Sequence, residues 1–229
     1  MGVKTDRLPI PFELYRIEEM QSYFEDMSAK GHHVRRLGRT SNDFEVGEPE
    51  TLRYRIEIAK KFFGGLGREQ IEFYKEAGWE SVGWIDNYHL FLSRESASPE
   101  LHSDPFELSM VVKGLESKMK RKVVTNLFLY VLYSLFLVFW LRRDYFYDSR
   151  FLTFILVSTT ILILVYEAYQ HIHRLRYLND LKDRLAHGED MRISAPYTNL
   201  MRQYRFARYL YVAWRITFIA MQFSLIYSY

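Results

Sequence analysis

The 229-residue chain contains no cysteine. A disulfide framework, a thiolate metal site and a catalytic thiol are therefore excluded. Glycine is also scarce, with 11 residues, and the glycine-rich stretch at 60–69 lacks the spacing of a phosphate-binding loop or a dinucleotide fingerprint. No nucleophile elbow is present. These absences remove the common sequence signatures of catalysis, so we predict a protein that is not an enzyme and uses no cofactor.

Histidine does not compensate for the missing thiols. His32 and His33 are adjacent in a predicted strand and therefore point to opposite faces, so they cannot share one site with His89. We predict no metal site.

The charges are unevenly distributed along the chain. Residues 1–112 contain 14 Lys and Arg against 20 Asp and Glu, whereas 113–229 contain 17 against 8. The first half is therefore acidic and the second half basic. A net acidic domain repels phosphate, so we predict no nucleic-acid partner.

Three apolar segments lie in the basic half, at 123–141, 151–169 and 209–228. At 1.5 Å per residue, 19 residues extend about 28 Å, which is close to the hydrocarbon thickness of a bilayer. We predict three transmembrane spans; the alternative is a helical domain with an unusually apolar core. Between the second and third spans, 171–187 predicts a cytoplasmic amphipathic helix that ends near Gly188.

The flanking Lys and Arg residues predict an orientation. They are concentrated before the first span and between the second and third, which places the N-terminal domain in the cytoplasm and Tyr229 outside. The expected location is the bacterial cell membrane, with the membrane as a partner. Glu167 and Arg215 would then form a pair inside the membrane, or reach its surface independently.

The acidic half contains a repeat. Residues 31–48 align with 78–95 at an offset of 47, and a predicted helix precedes each of Gly31 and Gly78. Each glycine is expected to stop its helix in a left-handed conformation. Extended runs before each helix and after each glycine predict two strand-helix-strand-strand units. The predicted fold class is an α+β cytoplasmic domain over 1–112, with one antiparallel sheet and two helices, followed by the membrane region over 113–229.

Several short sequences resemble a known family. "SAKGHHVRRLG", "FEVGEPETLRYRIE", "IEFYKEAGWESV" and "ELHSD" are similar to the bacterial family catalogued as a domain of unknown function, number 2812. The resemblance covers about residues 10–108. Members of that family often carry membrane spans and are often encoded beside PadR-type repressors. The resemblance therefore implies a sensory or regulatory accessory without an established activity.

A candidate ligand site combines aromatic and charged side chains on neighbouring predicted strands, a mixture that small-molecule clefts use. The alternative assigns the aromatic residues to the core and the charges to the wet face of a one-sided sheet. The candidate residues are Arg53, Tyr54, Arg55, Glu57, Trp79, Trp84, Tyr88 and His89.

The predicted function follows from these features. We expect a membrane-anchored sensory or regulatory accessory protein, whose cytoplasmic domain binds a small molecule or a regulatory protein partner without catalysis. The alternative is a structural or docking subunit of a membrane transporter or signalling complex.

Overall fold

The computed structural model describes residues 4–59, 66–95, 98–101, 104–141, 150–189, 191 and 196–227. Within these residues the chain forms six strands and five helices. The first half contains β1 (Thr5–Pro9), α1 (Ile17–Ser28), β2 (His32–Arg36), β3 (Ser41–Val46), β4 (Arg53–Ile58), α2 (Arg68–Glu76), β5 (Glu80–Ile85) and β6 (Tyr88–Ser93). Three long helices follow, α3 (Pro105–Leu141), α4 (Arg150–Ala186) and α5 (Thr198–Tyr227).

The repeat is visible in the backbone. The order strand, helix, strand, strand occurs twice, and β6 follows β3 at the offset of 47 residues. Gly31 and Gly78 adopt φ angles of +81° and +86°, so the predicted left-handed helix stops are confirmed. A Cβ atom at Gly31 would lie 2.5 Å from the carbonyl oxygen of Gly47, so the close approach of the two chain segments also requires glycine there.

The six strands form two sheets, and the prediction of one antiparallel sheet is wrong. The first sheet has the order β1-β3-β2 and the second the order β4-β6-β5, both antiparallel. Strands β2 and β5 lie near one another, yet no ladder joins them among the described strands. Both strands are irregular, with register shifts after Val34 and after Ser81. Bulges disrupt the regular ladder of an edge strand, which explains why the two sheets stay separate.

The second correction concerns the three long helices. Among the described residues, no helix has the length and apolar character needed to cross a bilayer. The predicted spans at 123–141, 151–169 and 209–228 are therefore wrong. Each apolar run belongs to a longer helix and contains polar side chains, for example Asn126, Thr159 and Arg215.

The predicted membrane location and orientation depended on those spans and are wrong with them. The premise of an intramembrane Glu167–Arg215 pair is removed for the same reason. Glu167 lies 3.9 Å from His171, one turn further along α4. The side chain of Arg215 lies outside the described residues.

The chain divides into two compact units. The first comprises Met1–Val111 with Asp183–Ala213, and the second Val112–Lys182 with Trp214–Tyr229. Within the second unit, Glu116 accepts a hydrogen bond from Lys182 at 3.2 Å and forms an ion pair with Lys120 at 2.5 Å. The hydrogen bond from Lys120, with that from Lys182, lowers the pKa of Glu116 below its ordinary value.

Helix α1 is the centre of the first unit. Its apolar residues Ile17, Met20 and Phe24 are fully buried, and Phe24 contacts Phe44 of the first sheet and Tyr54 of the second. Unlike a surface helix, α1 also buries its polar side chains, including Glu18 and Gln21. A polar group buried without a partner is costly, so each of these side chains must be paired.

The partners of α1 come from three parts of the first unit. Glu18 accepts a hydrogen bond from Arg184 at 2.8 Å, and Asp26 accepts one from the hydroxyl of Tyr197 at 2.6 Å. Burial and this carboxylate raise the pKa of Tyr197. Residues 183–213 thus complete the surroundings of a helix that begins at residue 17.

The third set of partners is the free edge of β4. The backbone N–H of Ile56 donates to Gln21 at 2.8 Å, and that of Tyr54 donates to Glu25 at 3.1 Å. Strand β4 is at the edge of the second sheet, and these two N–H groups lie on the side that faces away from β6. Side chains of α1 therefore take the place of a neighbouring strand.

Replacing Gln21 by Leu is expected to destabilise the protein by about 1 to 3 kcal/mol, because a buried backbone N–H loses its acceptor. The measurement is the free energy of unfolding in urea, with Gln203→Leu at an exposed position of α5 as the matched control. Equal stability of the two variants would contradict the assigned role of Gln21.

Candidate functional site

The second sheet places most of the predicted site residues on one face. Residues alternate between the two faces of a strand, so Arg53, Arg55 and Glu57 of β4 point to the same side. Arg55 lies opposite Phe91 of β6, and Glu57 lies opposite His89. This face, which we call the polar face of the second sheet, divides into an arginine end and a histidine end.

At the arginine end, Arg53 and Arg55 lie over the ring of Trp79, with their guanidinium carbons 5.2 and 5.9 Å from its centroid. Arg55 donates two hydrogen bonds to Glu100, at 2.7 and 3.0 Å, and one to Glu25 at 3.0 Å. Arg53 also donates to Glu100. Two cations and two carboxylates therefore balance one another.

The pKa values at the arginine end follow from this pairing. Burial alone would raise the pKa of Glu100, but the hydrogen bonds and charges of Arg55 and Arg53 outweigh it and lower that pKa. Burial dominates at Glu25 and raises its pKa despite Arg55. The arginine end is a closed ion-pair network that packs Trp79 rather than an anion site.

Two predicted site residues are not brought to this face. Tyr54 and Tyr88 project from the opposite side of the second sheet, where Tyr54 contacts Phe24 of α1 at a ring distance of 5.8 Å. Both tyrosines are buried. They belong to the core, which is where the alternative interpretation of the sequence assigns the aromatic residues.

The histidine end brings together Glu57, Ser81, Trp84 and His89. Trp84 lies opposite His89 on β5, and Glu57 lies opposite it on β4. Ser81 and Trp84 are three positions apart and would point to opposite faces of a regular strand. The bulge between Ser81 and Gly83, where Gly83 has φ +150°, turns both toward His89.

The Ser81 hydroxyl lies 2.7 Å from Nε2 of His89. His89 itself is 1% exposed, and its ring stacks on Phe91 with centroids 4.6 Å apart. The opposite ring nitrogen, Nδ1, is buried and has no hydrogen-bond partner among the described residues. Trp84, by contrast, is 49% exposed, and Ser81 is exposed as well. The histidine end thus combines two exposed residues, Trp84 and Ser81, with two buried ones, Glu57 and His89.

Burial lowers the pKa of His89, which keeps its imidazole neutral. Tyr74 of α2, which packs on Phe91 at 5.2 Å, has a raised pKa because of burial and the nearby charge of Glu57.

Among the described residues, no third group joins the Ser81–His89 pair to make a catalytic triad. In such a triad a third group holds the histidine through Nδ1. In the part of the chain that the structure describes, no group contacts that nitrogen with a hydrogen bond. Among the described residues, no group of three or more His, Asp or Glu is arranged to hold a metal ion.

Sequence reasoning missed Ser81, Glu25 and Glu100. A signal for Ser81 existed, because an isolated glycine such as Gly83 inside a strand often marks a bulge. Glu25 and Glu100 gave no signal, since their pairing with Arg55 joins residues 30 and 45 positions apart.

Because burial lowers the pKa of His89, the free energy of unfolding is expected to depend on pH. The unfolded chain binds a proton near pH 6.5, whereas folded His89 does so only at lower pH, so its contribution to stability falls as pH decreases below about 6.5. In His89→Gln, the free energy of unfolding should therefore vary less between pH 7 and pH 5 than in the wild type. His187→Gln, at the exposed end of α4, is the control, and a wild-type slope in His89→Gln would refute the assignment.

Comparisons with known proteins give a family and no activity. Residues 16–125, from the start of α1 into α3, match the model of a family described as "Protein of unknown function (DUF2812)". No curated protein and no solved structure matches the chain. The resemblance drawn from the sequence is confirmed: residues 16–125 are similar to this family of unknown function.

Proposed function

We propose that this chain is a sensory or regulatory accessory protein whose N-terminal repeat region binds a small molecule without catalysis. The observation that carries the proposal is the histidine end of the polar face. There the exposed residues Trp84 and Ser81 lie beside buried Glu57 and His89. An apolar wall with a few convergent polar groups is the usual composition of a ligand site.

The cost of this arrangement supports a role in binding. Nδ1 of His89 is buried without a hydrogen-bond partner in the described part of the chain, and a buried polar atom in that state reduces stability by about 1 to 3 kcal/mol. A half-exposed tryptophan also leaves apolar surface in water. Neither feature stabilises the fold, and both are located at the same end of one sheet face.

Binding without chemistry is supported by the state of the histidine. Imidazole that is neutral and stacked on Phe91 can accept or donate a hydrogen bond. No third group among the described residues orients it for proton transfer from Ser81. A ligand can therefore be held there and released unchanged.

The expected behaviour of the whole chain is ligand-dependent thermal stabilisation. A compound at a hundred times its dissociation constant adds about 2.7 kcal/mol, and the melting temperature should rise by several degrees. The measurement is the melting temperature against a panel of aromatic, aliphatic, acidic and basic small molecules.

The shift should be lost in Trp84→Ala and kept in Phe73→Ala, since Phe73 is an exposed aromatic residue of α2. A shift unaffected by Trp84→Ala would place the ligand elsewhere. Covalent labelling of Ser81 by a fluorophosphonate would indicate a nucleophile and overturn the proposal of binding without catalysis.

A second candidate function is a docking subunit of a signalling complex. The observation that favours it is the first half of α5, where Phe206, Tyr209 and Leu210 are 66%, 74% and 56% exposed beside the exposed Arg205. Aromatic and arginine side chains are enriched in protein interfaces. A regulatory protein with an acidic, apolar surface would fit this segment.

If docking is the function, the protein should co-purify with a partner in a fixed ratio. Replacing Phe206 and Tyr209 together by Ala should weaken the complex by tenfold or more, because exposed aromatic anchors supply much of the binding energy of an interface. The measurement is the stoichiometry of the complex by native mass spectrometry. A complex that is unchanged in this variant but lost in Trp84→Ala would assign docking to the polar face instead.

A further inference from the structure

We infer that the ligand held beside Trp84 is a planar aromatic compound that accepts a hydrogen bond from Ser81 through a carbonyl oxygen or a ring nitrogen; the inference rests on the function proposed above. It follows from three properties of the histidine end: the exposure of Trp84, the open space beside Gly83 and the direction of the hydrogen bond between Ser81 and His89.

The exposure of Trp84 selects a planar ligand. Trp84 is 49% exposed and lies opposite His89 in the pairing of β5 with β6. The preceding residue is Gly83, and no atom of the described residues lies within 4 Å of a Cβ atom built there. A flat ring system therefore has room to reach the indole and to stack on it with offset geometry.

The ring of His89 is fixed next to Ser81. It stacks on Phe91 with an angle of 14° between the two ring planes, and its Nε2 lies 2.7 Å from the Ser81 hydroxyl. The imidazole is neutral, because burial lowers its pKa. A neutral imidazole carries one proton, on either Nε2 or Nδ1. The position of that proton decides which partner donates in the Ser81–His89 hydrogen bond.

The burial of Nδ1 determines the position of the proton. This atom is buried, and no group in the described part of the chain forms a hydrogen bond with it. A proton on Nδ1 would create a buried N–H donor without an acceptor, which is rare in folded proteins, whereas an unpaired acceptor is tolerated more often. The proton of His89 therefore belongs on Nε2, and Nε2–H donates to the oxygen of Ser81.

Ser81 is left with its own proton to donate. A serine oxygen has two lone pairs and one proton, and one lone pair receives the Nε2–H of His89 at 2.7 Å. A hydroxyl that accepts one hydrogen bond donates a stronger one, because linked hydrogen bonds polarise one another. A ligand acceptor would use this proton, whereas a ligand N–H would compete with His89 for the serine oxygen. His89 is thus a positioning residue that makes Ser81 a donor.

The position of the proton is tested directly on the full chain without a ligand. A two-bond proton–nitrogen correlation spectrum at pH 7 distinguishes the two neutral forms of each of the 7 histidines. The signals of His89 are identified by their loss in His89→Gln and by their displacement in Ser81→Ala, a variant at an exposed position. We expect the pattern of a proton on Nε2. The pattern of a proton on Nδ1 would overturn the inference.

Two neutral bicyclic probes test the preference for an acceptor. They are coumarin, which has a carbonyl acceptor and no donor, and indole, which has an N–H donor and no comparable acceptor, each titrated by calorimetry. The ratio of the coumarin affinity to the indole affinity should fall about fivefold in Ser81→Ala, the equivalent of ~1 kcal/mol for one neutral hydrogen bond. Trp84→Ala should weaken both probes by roughly tenfold, and Phe73→Ala should leave both unchanged.

The outcomes separate the inference from the proposed function. If Ser81→Ala leaves the affinity ratio unchanged while Trp84→Ala weakens both probes, the inference is wrong and a small-molecule site at Trp84 stands. If neither probe binds the folded chain, the inference is also wrong, and the panel of aliphatic, acidic and basic compounds decides the proposed function. Binding that Trp84→Ala leaves unchanged overturns the assignment of this site.

Discussion

The structure of the first unit depends on the burial of a polar helix. Most of helix α1 is buried, so side chains such as Glu18 and Gln21 cannot reach water and must be paired within the protein. Each pairing fixes a different neighbour: Glu18 holds Arg184, Asp26 holds Tyr197, and Gln21 and Glu25 hold the edge of β4. A requirement for hydrogen bonding thus determines where three separate parts of the chain are placed.

The helices of the two repeat copies differ in how deeply they are buried. Helix α2 is mostly exposed and covers the polar face with only a small apolar cluster of Tyr74, Trp79 and Phe91. Where α1 has a complete shell of partners, the region near α2 leaves Trp84 and Ser81 in solvent. The first copy of the repeat therefore supplies the structural centre, and the second copy leaves two residues of its polar face, Ser81 and Trp84, exposed. That asymmetry is why the candidate site belongs to the second copy.

The sequence predicted local features of this fold better than tertiary ones. The glycine stops, the alternation in β4 and the repeat were readable because each depends on residues close in the chain. The division into two sheets depended on bulges in β2 and β5, of which only Gly83 left a trace. The membrane spans were wrong, because no helix within the described residues has the length and apolar character to cross a bilayer. In the site, cross-strand neighbours were predictable from alternation, whereas Glu100 and Glu25 were not, since ion pairs over 30 and 45 positions have no sequence pattern.

The first unit is not continuous in the chain, and this has a consequence for its synthesis. Residues 183–213 belong with 1–111, but 112–182 are made between them. At about 5 to 20 residues per second, the ribosome needs several seconds to add the intervening segment. During that time Arg184 and Tyr197 have not been synthesised. The hydrogen bonds that they donate to Glu18 and Asp26 of α1 therefore cannot form yet. The nascent N-terminal segment therefore has an interval of incomplete packing in which a chaperone has access to α1.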